Sequence, residues 1–222
     1  MKNILEIYKE YDIMPSLAEH QFSVAGVAMQ ICENIKDVKI DKDEIIKTCL
    51  LHDMGNIIKF NLTYFPEFLE PQGLEYWTQI QSKYIDKYGN DEHNATIAIG
   101  KELKMNDSII ELLDSVGFTQ SIKNEDDEDF DKKIVSYADA RVYPKGVCLL
   151  EERFENLRER YVKEGSSLKK IENNSKHFEK ESFEEAMREI EKQIFSKCDI
   201  NPEDITNESI ILYIEKLKKF EI

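Results

Sequence analysis

Apolar residues recur three and four positions apart along nearly the whole chain, a period that builds helices and little else. After Pro15, a residue suited to a first helical turn, Leu17, His20, Val24, Val27 and Ile31 keep this spacing and predict a helix over 15–36. Asp41 with Glu44 forms a capping-box analogue ahead of Ile45, Ile46, Cys49 and Leu50, and predicts a helix over 41–54 that closes at Gly55. Further helices are expected over 73–88, stopping at Gly89, over 91–104, from Asn106 to Gly117, and over 130–142. The stretch 56–72 carries two prolines and four aromatics without a helical period, and reads as an ordered loop packed on the core. The acidic run Glu125–Asp131 reads as a solvated loop. The β-branched residues are too scattered for a sheet, so the expected fold is all-α, a helical bundle.

From residue 149 the composition shifts to Glu and Lys, with large apolar residues at wide spacing. Phe154, Leu157, Phe178, Phe183, Ile190 and Phe195 are too few for a second core, but suffice for an apolar stripe. The chain is therefore divided into a helical domain over 1–148 and a helical extension over 149–222 packed on it. A break at Gly165-Ser166-Ser167 is expected to turn the extension back across the bundle, and Asn201-Pro202 to open a last helix with Ile210, Leu212 and Leu217. A solvent-exposed arm or a homodimer surface is the alternative use of the same residues.

A chain of 222 residues buries a core without needing disulfides. Its four cysteines, Cys32, Cys49, Cys148 and Cys198, form no CxxC pair and are expected to be free thiols of a cytoplasmic protein. The first residues lack the apolar core of a signal peptide, and no stretch is long enough to span a membrane. A net charge of −15 argues against non-specific nucleic-acid binding and against an anionic membrane surface. Binding a phosphate would require a local cation, which a metal ion can supply.

Four residues point to such an ion. His52 and Asp53 stand side by side at the end of the apolar run in CLLHDMGN, His20 lies one helix upstream, and Asp139 lies in IVSYADARV. An imidazole at His20 on an apolar helical face, or a carboxylate at Asp139 between apolar neighbours, is costly to bury alone. One shared cation satisfies both. Two nitrogens and two oxygens suit a single divalent ion such as Mn²⁺, Fe²⁺, Co²⁺, Ni²⁺ or Zn²⁺, with Mg²⁺ as the hard-cation alternative.

His20 in AEHQFSVA, His52-Asp53 in LLHDMGN and Asp139 in SYADA together resemble the HD-domain superfamily of metal-dependent phosphohydrolases, over roughly residues 10–145. The resemblance implies an all-α core on which these four ligands converge, and hydrolysis of phosphate esters. Two departures stand out. Many members carry Lys, and some Glu, three residues after the motif Asp, where this chain has Asn56. Members with two metals use further histidines between the motif and the last Asp. Only His93 is available here, which favours one ion.

The expected function is hydrolysis of a phosphomonoester or phosphodiester of a nucleotide or another small molecule. Asp53 is the candidate proton acceptor for the attacking water. His93, in the first turn of its helix, is the candidate proton donor. Asn56, Lys59 and Arg141 are the candidate substrate contacts. His177, among charged neighbours, reads as a solvated surface residue. The alternative is a regulatory metal-binding module with little or no catalysis, to which Asn56 lends weight.

Overall fold

A computed structural model describes residues 2–163 and 175–222. The Gly165-Ser166-Ser167 break and the side chains of His177 and Phe178 lie outside what it describes. Among the described residues, eleven α-helices account for nearly all regular structure. They are α1 (Ile4–Glu10), α2 (Pro15–Asn34), α3 (Lys42–Leu51), α4 (Gly73–Tyr88), α5 (Glu92–Glu102), α6 (Asp107–Asp114), α7 (Phe118–Asp126), α8 (Phe130–Ala140), α9 (Leu150–Lys163), α10 (Ser175–Phe195) and α11 (Asn207–Leu217).

Three of these helices form the centre: α2, α3 and α8 pack on one another. Pro15 opens α2, whose buried face runs through Leu17, Val24, Val27, Ala28 and Ile31. The Asp41 side chain caps α3 by accepting from the N–H groups of Asp43 and Glu44. The reciprocal half of the capping box is not formed. Glu44 accepts from Asn106 Nδ2 and Ser108 Oγ of the α6 start, while the Asp41 N–H donates to the Asp131 carboxylate. The carboxylates thus tie α3 to α6 and α8 in place of closing on their own turn.

The stretch 56–72 contains two 3-10 turns, Asn56–Lys59 and Pro66–Leu69, rather than a loop alone. Its backbone is tied to α4: Gln81 Nε2 donates to the carbonyls of Ile57 at 2.7 Å and Phe60 at 2.9 Å, and Trp77 Nε1 donates to Leu69. The acidic run is mostly not a loop. Its first residues close α7, Asp129 caps α8, and Asp131 lies in the first turn of α8. Carboxylates suit the cap and first turn of α8 because the first N–H groups of a helix lack backbone acceptors. A two-residue hairpin, β1 (Val142–Tyr143) with β2 (Gly146–Val147), follows α8 and was not expected. It is too short to show an alternating pattern in sequence.

The C-terminal third shares the core of the first 148 residues. Phe154, Leu157, Phe183, Met187, Ile190 and Ile194 are buried in one cluster with residues of α1–α6 and α8, and α10 packs on α7 and α8. The last helix begins later than expected, since Pro202–Asp204 is a separate 3-10 turn. Ile210 and Leu217 of α11 face α2 and the core, whereas Leu212 is 74% exposed, on the opposite side of the helix. All four cysteines are free thiols, with Cys49 and Cys148 buried. No helix among the described residues is long and apolar enough to cross a membrane.

Candidate metal centre

His20 projects from the second turn of α2, His52 caps the C-terminus of α3, Asp53 follows it, and Asp139 ends α8. Because α2, α3 and α8 pack together, these four side chains meet. His20 Nε2 lies 3.3 Å from Asp139 Oδ1 and 3.6 Å from Asp53 Oδ2, and His52 Nε2 lies at the same two distances from the same two atoms. One ligand atom from each of His20, His52 and Asp139 falls within 4.8 Å of the others. Asp53 joins this group through its approach to the two imidazoles.

The immediate surroundings fix how His52 is presented. Its Nδ1–H donates to the Cys49 carbonyl at 2.8 Å, which turns Nε2 towards the carboxylates. That Nε2 is buried and has no hydrogen-bond partner. Burial opposes a charge on His52, but Asp53 and Asp139 outweigh it and raise the imidazole to about 9. Burial also opposes ionisation of Asp139, yet His20 and His52 hold its carboxyl well below the usual range. Its side chain retains 27% exposure, so the desolvation is partial. The cluster therefore favours a positive charge between two imidazoles and two carboxylates, whether a proton or a cation. Ligands held about 2.0–2.2 Å from one ion stand roughly 3–3.6 Å apart, and the spacings here suit that. An orphaned buried nitrogen and an N₂O₂ donor set thus fit a divalent ion.

The loop after the motif is seated on α5. An added Cβ at Gly55 would stand 2.2 Å from the Glu92 carbonyl oxygen and 2.8 Å from Ala95 Cβ. The Gly55 N–H donates to Thr96 Oγ1 at 2.9 Å. Only glycine allows that close approach of backbone to backbone, which explains its place in the motif.

The remaining candidates are placed differently from one another. Asn56 is buried and opens the first 3-10 turn. Lys59 pairs with Glu92 at 3.3 Å, so its charge is balanced. His93 Nε2 pairs with Asp114 Oδ1 at 3.0 Å, and its side chain is 37% exposed. Arg141 corrects the sequence expectation of a phosphate clamp. It is fully buried, and its guanidinium donates to the carbonyls of Cys148, Pro202 and Ile205 and to the Tyr137 hydroxyl. A guanidinium so occupied serves to anchor the segment before α11. Its position two residues after Asp139 says nothing about where its long side chain runs.

Sequence reasoning missed Asp114, the partner of His93, and Gln21. Gln21 is completely buried beside His20, and its Oε1 accepts from the Asp53 N–H at 3.3 Å. An amide on the apolar face of α2 was the available signal.

The family model described as the HD domain matches residues 17–141, more than half of the chain. No curated protein and no solved structure matches. The matched span runs from α2 to the end of α8 and encloses His20, His52, Asp53 and Asp139. With these residues gathered on three mutually packed helices in an all-α fold, the chain belongs to the HD-domain family, consistent with the superfamily of metal-dependent phosphohydrolases.

Proposed function

We propose that the protein hydrolyses a phosphomonoester or phosphodiester of a nucleotide or another small molecule, with one divalent ion held by His20, His52, Asp53 and Asp139. The observation that carries this reading is the bare, buried Nε2 of His52 facing a second imidazole and two carboxylates. When bound, the ion supplies Lewis acidity towards a water nucleophile and a phosphoryl oxygen. Asp53 approaches both imidazoles through Oδ2 and, in this reading, accepts the proton of the attacking water. His93, steadied by Asp114, returns a proton to the leaving oxygen. Asn56 contributes a neutral polar contact to the substrate.

The second reading, a regulatory module with little turnover, is favoured by the pairing of Lys59 with Glu92 and by the absence of a basic or acidic side chain at Asn56. The test is metal analysis of the purified protein, followed by turnover of nucleotides and aryl phosphates with Mn²⁺, Co²⁺ and Mg²⁺. Hydrolysis abolished by Asp53→Asn, and slowed about 10²–10⁴-fold by His93→Ala with metal retained, is the expected result. Stoichiometric metal without turnover on any ester would favour the regulatory reading. A protein that takes up no metal would remove both.

A further inference from the structure

We propose that Gln21 is a positioning residue of the metal site, holding the peptide between His52 and Asp53 so that both side chains face one ion; this rests on the metal-binding reading above. In a continuing helix the Asp53 N–H would donate to the Cys49 carbonyl, four residues back. Here α3 ends at Leu51, and the Cys49 carbonyl receives the His52 ring instead. The Asp53 N–H donates to Gln21 Oε1. The peptide unit joining His52 to Asp53 is planar, so one bond to its N–H orients both Cα atoms together. Gln21 is also the chain neighbour of His20, so a single side chain links the α2 ligand to the two motif ligands.

The other end of this amide supports the assignment. Gln21 is 0% exposed, and its Nε2 has no hydrogen-bond partner. A buried donor without a partner is a cost to stability. An apolar residue of the same size would avoid that cost, so a glutamine selected only for packing is a poor choice here. What the amide offers over such a residue is its acceptor, and that acceptor is spent on the metal motif.

The experiment compares wild type with Gln21→Met, which keeps the volume and removes the acceptor. Titration with Mn²⁺ is expected to show affinity weakened about 10–100-fold, the usual range for losing a group that orients a ligand. In the metal-free proteins, amide hydrogen exchange at Asp53 should accelerate in Gln21→Met, because the N–H loses its acceptor. A merely structural glutamine predicts a lower midpoint with unchanged Mn²⁺ affinity, whereas a positioning glutamine predicts that the affinity falls whatever the midpoint does. Wild-type affinity in a folded Gln21→Met protein overturns the positioning role alone. Wild type that binds no Mn²⁺ overturns the metal reading and this role with it. Should Gln21→Met fail to fold, Gln21→Glu keeps an acceptor and must protect the Asp53 amide as wild type does; rapid exchange there would overturn the proposal.

Discussion

His20 and His52 address the same two atoms at the same two distances, 3.3 Å to Asp139 Oδ1 and 3.6 Å to Asp53 Oδ2. Two imidazoles from different helices facing one pair of carboxylates make a site suited to a positive charge. A proton can occupy that position in the apoprotein, and a divalent ion would displace it.

Metal should therefore stabilise the fold measurably. At free Mn²⁺ about 100 times Kd, linkage contributes about 2.7 kcal/mol. For a chain of this size that raises Tm by about 5–10 °C. Calorimetry with and without a chelator checks the rise, and the same comparison on Asp139→Asn should show most of it lost. Equal shifts in both proteins would place the ion elsewhere.

Gly55 should be intolerant of a side chain. Gly55→Ala drives a Cβ into the Glu92 carbonyl and Ala95, neither of which is the end of a flexible chain. The expected loss lies at the upper end of about 1–3 kcal/mol, with α5 displaced from the motif. Urea unfolding measures it. A wild-type midpoint would mean the approach of α5 is looser than the structure shows.

Arg141 should matter for stability and not for phosphate. Arg141→Met leaves the carbonyls of Cys148, Pro202 and Ile205 without their donor, at a cost of about 3–5 kcal/mol. A fragment ending at residue 148 would remove Pro202 and Ile205, strip the cover from a buried guanidinium and expose the core shared with α10 and α11. It should not unfold cooperatively. If Arg141→Met instead keeps its urea midpoint and loses turnover of phosphoesters, the phosphate-clamp role is restored.

Asp131 should make stability depend on pH. Burial, with Asp129, Asp41 and Glu44 close by, raises its carboxyl to about 6 against the usual 3.8. A folded-state value above the unfolded one means that ionisation costs stability. The cost is present above about 6 and is relieved as pH falls towards 3.8. Asp131→Asn can still accept from the Asp41 N–H without the charge, and should stabilise the protein at pH 8 by about 1–2 kcal/mol after screening by solvent. The advantage should vanish near pH 4. Thermal midpoints at both values decide it, and an equal gain at pH 4 would rule out titration of Asp131 as the cause.

The helical class and the four clustered residues were legible in the sequence because both are local signals. A 3.6-residue apolar period shows in any window of a dozen residues, and His52-Asp53 at the end of such a run is a contiguous motif. The sequence also marked His20 and Asp139, since a polar group on an apolar helix face signals a partner even before that partner is known. The roles of Arg141, Glu44 and Gln21 were not legible. Each depends on which distant group a long side chain reaches: the carbonyls of Pro202 and Ile205, the Asn106 and Ser108 side chains at the start of α6, the N–H of Asp53. Helical spacing says which face a residue occupies, and only the packing of α2, α3, α8 and the segment before α11 decides what stands opposite it. The helix at 118–126 and the hairpin at 142–147 escaped for a related reason: their local preferences are weak, and the core beneath them supplies what the sequence pattern lacks.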